Sequence, residues 1–95
     1  MYEFITAAEK AQAEQILDRL SNRDHFIRLD LEQASDDVVK AKRAGEKEKE
    51  NRWTGRLWGM LDMLERLDLI TFEEADVLTR WFIDKQVDAA NRNAA

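Results

Sequence analysis

The stretch that decides the fold is Phe26-Ile27-Arg28-Leu29-Asp30-Leu31-Glu32, with its continuation to Ala41. Ile27, Leu31, Ala34, Val38 and Ala41 recur at i, i+4, i+7, i+11 and i+14, one face of a 3.6-residue helix. The opening residues also alternate apolar and charged, which is the signature of a half-buried strand. A strand needs a neighbour, and the one other candidate is the short stretch 2–5. The helical ladder is longer and needs no partner. It is the favoured reading, and with it the chain becomes all-α.

Helix boundaries follow outward from this segment. Thr6-Ala7-Ala8-Glu9 and Thr71-Phe72-Glu73-Glu74 are capping boxes, in which the threonine accepts from an orphan amide while the glutamate reaches back. The first opens a helix striped by Ala13, Ile16, Leu17 and Leu20, which should fray at Ser21-Asn22-Arg23-Asp24. Gly45 belongs just past the end of the second helix. Glu46-Lys47-Glu48-Lys49-Glu50 sets opposite charges three apart and suits a solvated helix start. A third helix runs to about Leu67, the turn Asp68-Leu69-Ile70 follows, and a last helix runs through about Ala89. Residues 90–95 read as a loose tail. The expected architecture is one domain over residues 1–95, a small antiparallel bundle of three to four helices with the third, amphipathic helix at its centre.

The third helix carries the widest stripe: Trp53, Leu57, Met60, Leu61, Leu64 and Leu67, flanked by Met63 on one side and Trp58 on the other. So broad a face requires two neighbouring helices. Opposite it stand Gly55 and Gly59, and a glycine inside a helix costs roughly 1 kcal/mol relative to alanine. Their spacing fits a close helix contact beside Trp58, within the domain or across a dimer interface. The bland alternative is tolerated surface glycines. The last helix should bury Ala75, Leu78, Trp81 and Phe82, which leaves Val77, Ile83 and Val87 on its flanks as a second candidate interface.

Composition excludes much of the remaining chemistry. The chain of 95 residues has no cysteine, so no disulfide, thiolate metal site or nucleophilic thiol is available. His25 is its one imidazole, and it sits beside Asp24 where capping residues collect. Its three glycines cannot build a phosphate loop, and the acids fall at helix starts or on outer faces. The expectation is therefore a protein that is not an enzyme, with no cofactor, no metal and no small-molecule substrate. No apolar run approaches the ~20 residues of a membrane span. Residues 1–5 lack the basic start of a secretory signal, so a cytoplasmic location and no membrane partner are expected.

The net charge of −5 is unevenly laid out. Residues 1–39 hold 4 basic against 9 acidic side chains, and residues 57–95 hold 4 against 8. Between them, Lys40, Lys42, Arg43, Lys47, Lys49, Arg52 and Arg56 stand against 3 glutamates, a local +4. If the second and third helices form a hairpin, this segment is its tip, with Trp53 inside it. Basic residues near aromatics can follow phosphates and stack bases, but interleaved glutamates also suit a solvated tip. A helix-turn-helix DNA reader at the last two helices is disfavoured, because Glu73, Glu74 and Asp76 would face phosphates.

The leading expectation is an interaction or regulatory module that binds a protein partner or a second copy of itself through Gly55, Trp58, Gly59, Val77 and Ile83. Two alternatives stand beside it. One is a nucleic-acid-binding accessory protein using residues 40–56. The other is an acidic inhibitor whose carboxylates imitate phosphates in the groove of a nucleic-acid enzyme.

Overall fold

The computed structural model describes residues 5–93, which fold into four helices: α1 (Ala7–Arg23), α2 (His25–Arg43), α3 (Lys47–Arg66) and α4 (Phe72–Asn93). The deciding segment is helical from His25 onward, and no strand occurs among the described residues. Burial follows the ladder. Leu31, Ala34, Val38 and Ala41 are buried, whereas Ile27 at the start is half-buried. The alternation of residues 27–32 has a different origin. Arg28 and Glu32 point to one side of the helix and form an ion pair along it at 2.7 Å, so the charged positions of the alternation belong to a polar flank of the favoured helix. Of the possible pairing strand at residues 2–5, all but Ile5 lies outside the described residues.

The turns are built as the caps require. Asp24 serves two helices at once. Its amide donates to the Leu20 carbonyl to close α1, and its carboxylate accepts from the Phe26 amide to open α2. The fraying expected at 21–24 is thus compressed into one residue. Gly45 takes φ 70° past the end of α2, where Glu46 donates to Ala41 and Gly45 to Lys42, a complete Schellman turn. The same pattern closes α3 with Leu69 donating to Leu64 and Asp68 to Glu65, but here Asp68 holds the left-handed position at φ 58°. Both capping boxes form: Thr6 with Glu9, and Thr71 with Glu74. The last helix continues past the expected end near Ala89, through Asn93.

The core gathers the predicted stripes of all four helices. Ala13, Ile16, Leu17 and Leu20 of α1 meet Leu57, Leu61 and Leu64 of α3 and Leu78, Trp81 and Phe82 of α4 in one cluster with α2. The stripe on α3 meets two neighbours, α2 and α4, as its width requires. Among the described residues α1 and α3 do not approach within 8 Å between Cα atoms, while α2 and α4 each approach all three others. One face of the α2–α3 pair is therefore left without a covering helix. Leu67 was expected inside this stripe but is exposed: it is the C-cap residue, just past the end of α3 at Arg66.

Candidate interaction site

Charge is handled differently on the two sides of the bundle. Along the α1–α4 seam, each capping-box glutamate is also gripped by an arginine of the other helix. Arg19 places two nitrogens 2.8 and 2.9 Å from the Glu74 carboxylate and donates a third bond to the Leu69 carbonyl. Arg80 pairs with Glu9 and, at 3.0 Å, with Asp76. The Arg80 hydrogen bond, aided by the Thr6 amide, lowers the Glu9 carboxyl to about 2. The Arg19 hydrogen bond likewise lowers Glu74 below the usual carboxylate range. Arg28 binds Glu14, Asp18 and Glu32 at 2.7–2.9 Å, joining α1 to α2. These side chains are committed within the fold.

The outer face of the α2–α3 hairpin is open by contrast. At about 100° per residue, Phe26, Asp30, Gln33 and Asp37 share one strip of α2. Trp53, Arg56, Met60, Met63 and Leu67 share the facing strip of α3. Between them runs a shallow groove in two adjoining parts of about 170 Å³ each, which have Asp30 and Met60 in common. Its apolar end holds Ile27, Leu31, Met60, Met63 and Leu64, and the other end holds Ala34, Trp53 and Arg56. Met63 in this lining is 54% exposed, and Phe26 and Leu67, adjoining the lining in sequence, are 66% and 60% exposed. Leu29, one turn from Phe26, is also exposed.

The surfaces expected from sequence fall in different places. Gly55 and Gly59 lie exposed, and a Cβ at either would meet nothing within 4 Å. Among the described residues no helix closes on them, so the close contact expected within the domain is not found there. Trp58 is half-buried and packs on the core from a cleft between α3 and α4, beside Phe72, Ala75 and Thr79. Val77 is a correction. At 5% exposure it belongs to the core, because α4 meets three helices and buries more than one side. Ile83 is half-buried.

The basic segment does form the tip of a hairpin. Lys40, Lys42 and Arg43 occupy the last turn of α2, where cations offset the helix dipole. Lys49 pairs with Glu46 at 2.7 Å and Lys47 with Glu50 at 3.5 Å. Arg56 leaves the tip and lies 5.2 Å over the Trp53 ring. Arg43 donates to the Ala89 carbonyl of α4. Lys40, Lys42, Arg43 and Arg52 have no carboxylate partner among the described residues. A cleft of about 670 Å³ opens here, lined by Val38, Lys42, Arg43, Glu50, Thr54 and Gln86 among others.

Phe26 and the exposure of Met63 and Leu67 were missed by sequence reasoning. The signal was present in Met63, which widens the stripe of α3 beyond what two neighbours cover. His25 stands exposed at the start of α2, edge-on to Phe26 at 5.7 Å. Among the described residues no three His, Asp or Glu side chains converge as metal ligands, and no helix is long and apolar enough to cross a membrane. No family model matches this chain, and neither the curated proteins nor the solved structures searched include a match.

Proposed function

We propose that this chain is a non-enzymatic protein-interaction module whose working surface is the outer face of the α2–α3 hairpin. One observation carries the reading. Met63, more than half exposed, lines the apolar end of the α2–α3 groove, and the equally exposed Phe26 and Leu67 adjoin its lining in sequence, Phe26 next to Ile27 and Leu67 one turn beyond Met63. Large apolar side chains exposed around a groove are costly to leave in water, and such surface marks interaction sites. Phenylalanine and methionine are also enriched at interface cores. The reading keeps the expected class of function but moves it from Gly55, Trp58 and Gly59 to the opposite flank of α3.

A photo-crosslinking amino acid placed at Leu67 tests this in the native cell. Position 67 is expected to capture a protein, while a control at Gln15, on the exposed side of α1, captures none. Equal capture at both positions, or capture only at Gln15, contradicts the reading.

A second reading has its own observation. Lys42 and Arg43 line the cleft of about 670 Å³ at the tip, and neither they nor the nearby Lys40 and Arg52 have a carboxylate partner among the described residues, which favours an anionic partner such as single-stranded nucleic acid. Fluorescence anisotropy with labelled RNA at low salt measures it, and absence of salt-sensitive binding removes it. The phosphate-mimic inhibitor finds less support. Glu9, Glu14, Asp18, Glu32, Glu74 and Asp76 are held in ion pairs rather than presented as a free anionic row.

A further inference from the structure

We propose that the partner of the α2–α3 face is a second copy of this chain, with α2 of each copy lying antiparallel across α3 of the other. The proposal rests on the reading of that face as the working surface and names what covers it. Asp30 and Arg56 line the same groove from opposite banks, one on α2 and one on α3. Among the described residues neither has an ion pair or a side-chain hydrogen bond, and Arg56 rests only on the Trp53 ring. By contrast Arg19, Arg28, Arg66 and Arg80 all bind carboxylates within the fold.

One free anion and one free cation on facing banks make the groove complementary to its own image. A two-fold axis running along the groove carries the α2 bank of one copy over the α3 bank of the other at the same height. Asp30 then meets the partner's Arg56, and Arg56 meets the partner's Asp30, as an isologous contact requires. The same rotation lays Phe26 over the partner's Met63, with the partner's Leu67 one turn further out, covering the exposed apolar end with thioether–aromatic contact. A two-fold across the hairpin lays α2 on α2 and α3 on α3, and pairs neither charge. The reciprocal ion pairs also oppose, at the contact itself, the repulsion between two chains of net charge −5.

Sedimentation velocity over a dilution series tests the dimer. The unmodified chain is expected to pass from monomer to dimer as its concentration rises. Asp30→Arg alone and Arg56→Asp alone each oppose like charges twice, and should weaken dimerisation on the order of tenfold or more. The double variant Asp30→Arg/Arg56→Asp restores opposite charges with the banks exchanged and should recover the dimer. Both side chains are exposed, so helix content by circular dichroism should be unchanged in all three. Leu67→Glu, at a position already exposed in the single chain, is an independent check and should also dissociate the dimer. An unmodified chain that stays monomeric throughout, a double variant no stronger than the singles, or a Leu67→Glu chain that dimerises normally overturns the proposal. A monomeric chain that still captures another protein through position 67 defeats the dimer alone. A chain that captures nothing there defeats the interaction reading as well.

Discussion

The α1–α4 seam and the α2–α3 outer face are built from similar residues and treat them in opposite ways. At the seam, apolar side chains are covered and charges are matched: Arg19 grips Glu74 and Arg80 grips Glu9, so the residues that cap each helix also tie it to the other. On the outer face, Phe26, Met63 and Leu67 stay in water while Asp30 and Arg56 stay unmatched. A bundle that can close one seam so completely has no evident folding reason to leave the opposite face unfinished. The difference separates residues that hold the fold from residues available to a partner.

Truncation of matched leucines gives the largest expected contrast. Leu17→Ala empties a fully buried position and should cost about 2–5 kcal/mol of stability. Leu67→Ala should cost less than about 0.5 kcal/mol in dilute monomer, since it removes only exposed surface. Urea denaturation measures both, and a comparable loss at Leu67 would break the distinction between the two regions.

Arginine substitutions sharpen the electrostatic half of the comparison. Arg28→Ala leaves Glu14, Asp18 and Glu32 together without their shared cation, and should destabilise by about 1–2 kcal/mol as the sum of three partly screened pairs. Arg56→Ala removes only an exposed cation–π contact, and should cost at most about 1 kcal/mol in the same denaturation experiment. Smaller again is the glycine strip. Gly59→Ala meets no atom within 4 Å and should raise stability by up to about 1 kcal/mol, as a higher melting temperature with unchanged oligomeric state. A loss of dimer in that variant would return the interface to the glycine side of α3.

The smallest effect is acid sensitivity at the seam. Glu9 and Glu74 are held below their ordinary value of 4.5 by Arg80 and Arg19. A lowered folded-state value stabilises the fold above 4.5, and the contribution is lost as pH falls from there toward about 2. Thermal melts between pH 7 and pH 3 should therefore converge for the unmodified chain and Glu9→Gln at the acid end. Parallel curves would show that the seam pairs add nothing to stability.

Much of the fold was legible because local rules set it. The capping threonines, Gly45 and the i, i+4, i+7 ladders need no knowledge of neighbours, and both capping boxes form where those rules place them. Periodicity also names the side of a helix that is apolar, but not how far along it a neighbour reaches. Leu67, expected in the core, is exposed just past the end of α3, and Val77, expected on a flank, is buried because α4 meets three helices. The candidate site was less legible still. Its groove joins Asp30 to Arg56 across the hairpin, and the absence of partners for either is a property of the packed chain. Only Met63, too far round the stripe for two neighbours to cover, hinted at that face.

The most direct measurement is a dilution series of amide and indole NMR spectra on the isotopically labelled chain. The account predicts that concentration-dependent shifts cluster at Phe26, Asp30 and Gln33 of α2 and at Trp53, Arg56, Met60, Met63 and Leu67 of α3. The Trp53 indole should move while that of Trp81, buried in the core, stays fixed. Shifts confined to α1, α4 or the Gly55–Gly59 strip, or no shifts at any concentration, would contradict it.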